Sequence, residues 1–89
     1  MLKPEYTTKF KKDLKMVEKR KLDIEELKDI IRKLCNEETL PPKNKDHNLS
    51  GQWAGCRECH IAPDWLLIYQ VGKGMIVFER TGSHSDLFR

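Results

Sequence analysis

Tyr6, Phe10, Leu14 and Val17 recur at intervals of four, four and three, the spacing of one face of a helix. The pattern predicts a first amphipathic helix over residues 7–20. A second is expected to start at Asp23, whose carboxylate suits an N-cap, with Glu26 three residues on as its reciprocal partner and Leu22 and Leu27 as a hydrophobic staple. Its apolar face is Leu27, Ile30, Ile31 and Leu34. The short link at residues 20–22 makes the two helices antiparallel neighbours, a helical hairpin. After Cys35 the chain turns polar, and Pro41 and Pro42 exclude a helix interior, so a loop crosses there.

From His47 onward the period changes. Short strands are predicted over residues 56–61, 65–71 and 75–80, with Ala62-Pro63-Asp64 and Gly72-Lys73-Gly74 as the turns between them. The run Leu66-Leu67-Ile68-Tyr69 has no polar alternation, which suits a strand covered on both faces. Two helices followed by an antiparallel meander make an α+β domain: an N-terminal antiparallel helical hairpin packed on one face of a curved antiparallel sheet. The other face is left free, either solvated or used for binding.

At 89 residues the chain has room for one domain, residues 1–89, with one modest core that a partner covering apolar surface would help. No segment approaches the roughly 18 consecutive apolar residues of a membrane span. Lys3, Glu5, Lys9, Lys11 and Lys12 interrupt the first dozen residues, which do not read as a secretory signal, so a cytoplasmic location is expected.

The three cysteines, Cys35, Cys56 and Cys59, are an odd number and read as free thiols. Cys56, Cys59 and His60 do spell the C-x-x-C-H pattern of covalently attached haem. On a strand, however, Cys56 and Cys59 point to opposite faces and cannot share a cofactor or a metal. No second C-x-x-C or spaced histidine pair completes a zinc tetrahedron. Neither a cofactor nor a metal is expected.

Charge is divided unevenly. Residues 1–45 carry thirteen Lys/Arg against nine Asp/Glu, whereas residues 46–89 carry four against five. Within residues 7–21, Lys9, Lys11, Lys12, Lys15, Lys19, Arg20 and Lys21 face only Asp13 and Glu18. Such a stripe can grip phosphate backbones without reading sequence, and it can equally be the solvated face of a helix. Charge points to a class of partner but to no reaction.

All three histidines, His47, His60 and His84, lie in the second half beside turns or strand ends, and Asp64 sits in the turn after His60. A single histidine on a surface is ordinary. Several converging on one cleft can supply a base, an acid and a cation for a phosphate. That inventory suits RNA cleavage, in which the substrate's 2′-hydroxyl attacks the adjacent phosphate and no metal is needed in principle; DNA, lacking that hydroxyl, is inert. Trp53 and Trp65 suit a core, or the rim of a cleft where bases stack.

Four blocks in order carry a resemblance that runs over nearly the whole chain. They are Lys45-Asp46-His47-x-Leu49-x-Gly51-x-Trp53, His60-x-x-Pro63-Asp64-Trp65-x-Leu67-Ile68-Tyr69, Phe78-Glu79-Arg80-Thr81-Gly82-Ser83-His84, and Leu87-Phe88. In these the chain resembles the YafQ branch of the RelE superfamily, with Tyr6, Phe10, Asp13 and Leu14 agreeing in the first helix. The resemblance implies a toxin fold of two helices on a curved antiparallel sheet. It also implies a ribosome-dependent mRNA interferase that enters the ribosomal A site, cleaves the message and is silenced by a co-expressed antitoxin, the pair forming a hetero-oligomer that binds operator DNA.

Carried over residue by residue, the family's catalytic set maps to His47, His60, Asp64 and His84. Trp65 and Phe88 would line the site and Arg80 would contact phosphate. His84 is then the general acid, His60 or Asp64 the general base, and His47 and Arg80 charge stabilisers, with Asp64 alternatively orienting a histidine. Lys11, Lys12, Lys15 and Lys19 become the residues that meet ribosomal RNA. The alternatives are a ParE-type inhibitor of a protein target such as gyrase, which needs no histidine set, and a catalytically silent partner of an antitoxin in transcription. Departures from the pattern are Cys56, Cys59 and an extra charge at Arg89.

Overall fold

The computed structural model describes residues 1–88; Arg89, with its extra charge, lies outside them. Chain order is β1 (Lys3–Tyr6), α1 (Thr8–Lys19), α2 (Ile24–Cys35), β2 (His47–Asn48), β3 (Arg57–Ala62), β4 (Trp65–Gly72), β5 (Met75–Gly82) and α3 (His84–Leu87). Short 3-10 turns at Pro42–Asn44 and Gly51–Trp53 flank β2.

Both long helices begin at side-chain caps. Thr7 Oγ1 accepts from Phe10 N at 3.0 Å and donates to Glu79 O at 2.8 Å, which ties the start of α1 to β5. Asp23 caps α2 as expected, but through the Glu25 N–H at 3.0 Å rather than through a reciprocal box with Glu26. A cap of this kind is worth about 1 kcal/mol.

The sheet order is β1-β5-β4-β3-β2. Its three long strands form the expected antiparallel meander, but the sheet is mixed, because β1 pairs parallel to β5, Lys3 opposite Met75 through Tyr6 opposite Phe78. Tyr6 therefore ends a strand instead of opening the helix. Its ring still packs on Phe10 and on Phe78, each with centroids 5.4 Å apart.

The main core lies between the helices and one sheet face. Phe10, Val17, Leu27, Ile30 and Leu34 meet Cys59, Ile61, Trp65, Leu67, Tyr69, Ile76 and Phe78. The alternate residues of β4, Leu66 and Ile68, enter a second, smaller cluster with Cys56 and Leu87, against which Leu49, Trp53 and Phe88 pack. This explains the unbroken apolar run of β4. It also corrects the expectation of a free second face, since α3 and the Gly51–Trp53 turn cover part of it. Cys56 and Cys59 fall in opposite clusters, as strand alternation requires.

Between α1 and α2 an apolar groove of about 330 Å³ remains open, lined by Tyr6, Phe10, Leu14, Ile24, Leu27 and Ile31 and flanked by Lys11 and Lys28. Among the described residues, no helix is long and apolar enough to cross a membrane.

Candidate functional site

Strand alternation assembles the site on the face away from α1 and α2. Glu58 and His60, two residues apart on β3, share that face with their partners Ile68 and Leu66 of the second cluster. His47 on β2 lies directly opposite Glu58, so its side chain joins them. The Glu58 carboxylate stands between the two rings: Oε1 is 3.6 Å from His47 Nε2 and 3.7 Å from His60 Nε2. It is only 5% exposed, in contrast to both histidines.

The far side of each ring is held by a carbonyl. His47 Nδ1 lies 2.6 Å from Lys45 O, and His60 Nδ1 lies 3.3 Å from Pro63 O. A carbonyl only accepts, so Nδ1 donates in both rings and Nε2 is the nitrogen turned to Glu58. Lys45 adopts a left-handed conformation, φ 47°, which aims that carbonyl. Asp46 anchors the same segment to the sheet, accepting from Tyr69 Oη at 2.6 Å and Arg57 Nε at 3.3 Å. Burial, followed by the bond to Asp46, pushes the Tyr69 phenol far up, so it stays a donor at any working pH.

The third histidine opens α3, next to the β3–β4 turn. Asp64 Oδ1 accepts the His84 backbone N–H at 3.0 Å, and the His84 ring sits 5.0 Å from the Phe88 ring. Asp64 thus ties the β3–β4 turn to the first residue of α3. Beside His60 a cleft of about 340 Å³ is lined by Lys43, Asn44, Lys45, Ala62 and Pro63, which places two cations and no acid along its wall. The Asn44 amide donates to His60 O at 2.7 Å and fixes that wall to β3.

Two expected residues are already engaged within the protein. Trp65, expected to line the site, is 2% exposed in the main core, its Nε1 donating to Thr81 Oγ1 at 2.9 Å. Alternation along β4 turns it away from Leu66 and the histidine face. Arg80, expected on phosphate, is bound in two places to Asp13 of α1, at 2.6 and 2.9 Å, and this pairing raises its pKa further. Lys11, Lys12, Lys15 and Lys19 are all exposed on α1.

Glu58 is the residue the sequence reading missed. The signal was present: it is the same-face neighbour of His60 two positions back, on a strand with buried positions on both sides. The thiols carry no comparable chemistry. Burial pushes Cys59 up to about 12 and raises Cys35 and Cys56 as well, so all three are protonated thiols near neutral pH. Among the described residues, no group of three or more His, Cys, Asp or Glu is arranged to hold a metal ion.

Fold and site together define a small α+β domain bearing a histidine-and-carboxylate surface on the sheet face away from its helical hairpin. The family model described as "Bacterial toxin of type II toxin-antitoxin system, YafQ" matches residues 2–89. The mRNA interferase toxin YafQ of Escherichia coli strain K12 is 44% identical over 85 residues, spanning 94% of this chain and 92% of that protein. The crystal structure of YafQ from E. coli strain BL21(DE3) superposes with a TM-score of 0.94 at 40% identity over 100% of both chains. That of the E. coli DinJ-YafQ complex does so with 0.92 at 41% identity, again over 100% of both. The chain belongs to the YafQ family of bacterial toxins of type II toxin–antitoxin systems.

Proposed function

We propose that this protein is a ribosome-dependent endoribonuclease that cleaves mRNA in the A site and is silenced by a cognate antitoxin in the cytoplasm. One observation carries the reading: His47, Glu58 and His60 stand together on one sheet face, with Asp64 and His84 joined at its border. The E. coli relative carries the name mRNA interferase, and its homologous complex holds DinJ. The apolar groove between α1 and α2 supplies surface for such a partner.

In this mechanism His60 is the general base. Its Nε2, turned to the Glu58 carboxylate, takes the proton of the 2′-hydroxyl, and the negative charge of Glu58 stabilises the imidazolium that forms. The 2′-oxygen attacks phosphorus and the 5′-oxygen leaves, protonated by His84. His47, Lys43 and Lys45 balance the charge that builds on the phosphorane, and Arg80 contributes through the donors that Asp13 leaves free. Phe88 packs on the His84 ring and borders the substrate. Asp64 fixes the backbone of His84 and transfers no proton. No metal takes part in these steps.

The test is primer extension on an mRNA in a translating extract, with and without ribosomes, comparing wild type with His84→Ala. The expected result is ribosome-dependent cuts that fall roughly a hundred- to ten-thousandfold in the variant. Cutting should survive a chelator selective for transition metals that leaves the ribosome's magnesium in place. Absence of cuts from the wild type, together with altered DNA supercoiling, would overturn the reading in favour of a gyrase-type target.

A further inference from the structure

The helix that carries His84 is four residues long, too short to be held by its own hydrogen bonds. Something outside it must set where the ring points. Leu87 anchors one side in the second cluster, and Asp64 holds the His84 N–H at 3.0 Å. The remaining tie comes from α1. Arg20, the C-cap residue of that helix, reaches across to Asp86, with Nη1 2.6 Å from Oδ2 and Nη2 3.2 Å from Oδ1.

The same Asp86 carboxylate folds back on its own helix start. Oδ2 accepts the Ser83 N–H at 2.9 Å, while Ser83 Oγ accepts the Asp86 N–H at 3.2 Å, a complete capping box. Gly82 makes room for it: with φ at 156°, a Cβ there would stand 2.9 Å from Asp86 Oδ2. A two-point guanidinium–carboxylate contact fixes direction as well as distance, which a single ammonium does not. The successive N–H groups of Ser83 and His84 are thus each gripped by a carboxylate, and one of these carboxylates is itself held by Arg20.

We infer that Arg20 and Asp86 are positioning residues for His84, setting through the start of α3 where its ring stands relative to the scissile phosphate. The inference rests on the ribonuclease reading above, with His84 in the reaction. Neither side chain needs to touch RNA for this. Arg20 is half exposed at a helix end and contributes little to the core, so its removal tests position rather than folding.

The experiment measures kcat and KM for ribosome-dependent cutting by wild type, Arg20→Gln, Arg20→Lys and Asp86→Asn, with the melting temperature of each. The substitutions are then repeated in a His84→Ala background. Displacement of a reacting group by about 1 Å can cost on the order of a hundredfold, so a ten- to hundredfold loss of kcat is expected for Arg20→Gln. KM should be little changed, the melting temperature should fall by only the small amount that loss of a partly exposed ion pair allows, and Arg20→Lys should retain part of the rate. In the His84→Ala background Arg20→Gln should cost nothing more, because the group it positions is gone.

Unchanged kcat in Arg20→Gln would overturn the inference while leaving the ribonuclease reading intact. So would a rise in KM alone, or a loss that multiplies with that of His84→Ala. If the wild type itself makes no cuts, the reading beneath fails first, and that outcome is distinct from all of these.

Discussion

Replacing Trp65 by Phe separates a core residue from a substrate platform. In the core role two contributions are lost. The indole N–H bond to Thr81 Oγ1, 2.9 Å long and buried, contributes about 0.5–1.5 kcal/mol. The missing part of the bicyclic ring leaves a void where the side chain is 2% exposed. Complete truncation of a buried Trp or Phe costs about 3–5 kcal/mol, so this partial one should cost roughly 1–2. Together they destabilise the fold by about 2–3 kcal/mol. For a domain of this size each kcal/mol moves the melting temperature by roughly 4–8 °C, so a fall of about 8–24 °C is expected in thermal melts followed by circular dichroism. Thr81 Oγ1 still donates to Leu66 O at 2.8 Å, so β4 and β5 stay tied and the site on the other face keeps its geometry. Cutting rate per folded molecule, measured well below the transition, should then change by no more than a few fold. A variant that melts like wild type but has lost its activity would refute the assignment and return Trp65 to the substrate.

Two further predictions concern charge. The Arg20 guanidinium, followed by the Ser83 N–H, holds the Asp86 carboxyl well below the usual carboxylate range, so its stabilising effect is present above the unfolded pKa and is lost as pH falls through the folded one. Asp86→Asn should therefore narrow its stability deficit relative to wild type in melts taken below about pH 4; a deficit that widens with acid would contradict the sign. On α1, Lys12, Lys15 and Lys19 lie at spacings of three and four with Lys11 beside Lys12, and all four are exposed. If they meet ribosomal RNA, changing all four to Ala should weaken ribosome pelleting and flatten its dependence on salt. Equal slopes for the two proteins would exclude these lysines from docking.

The parts of the fold that were legible are those whose period is local. Tyr6, Phe10, Leu14 and Val17 announce α1, and the unbroken run of β4 correctly implied cover on both faces. β1 was not legible, because its residues show no buried alternation and its pairing partner lies some seventy residues away. The histidines and Asp64 could be named from their motif blocks. Which neighbour each one faces could not, since that depends on the register that sets His47 opposite Glu58 and on the bulge in β5 beside Arg80. The direction of Trp65 was readable in principle, by counting alternation from Leu66, but the motif drew attention to its identity rather than its parity.

The parallel pairing of β1 with β5 bears on how the protein is made. The first strand to be synthesised waits for nearly the last, so the sheet cannot close while β5 is still inside the translating machine. A growing chain stopped before residue 75 has neither β5 nor His84, and the contacts that finish the fold are the most distant along it. Long-range closure of this kind slows folding. The helical hairpin thus emerges first and waits without its sheet, and the face that β5 and His84 complete is the last part of the domain to take shape.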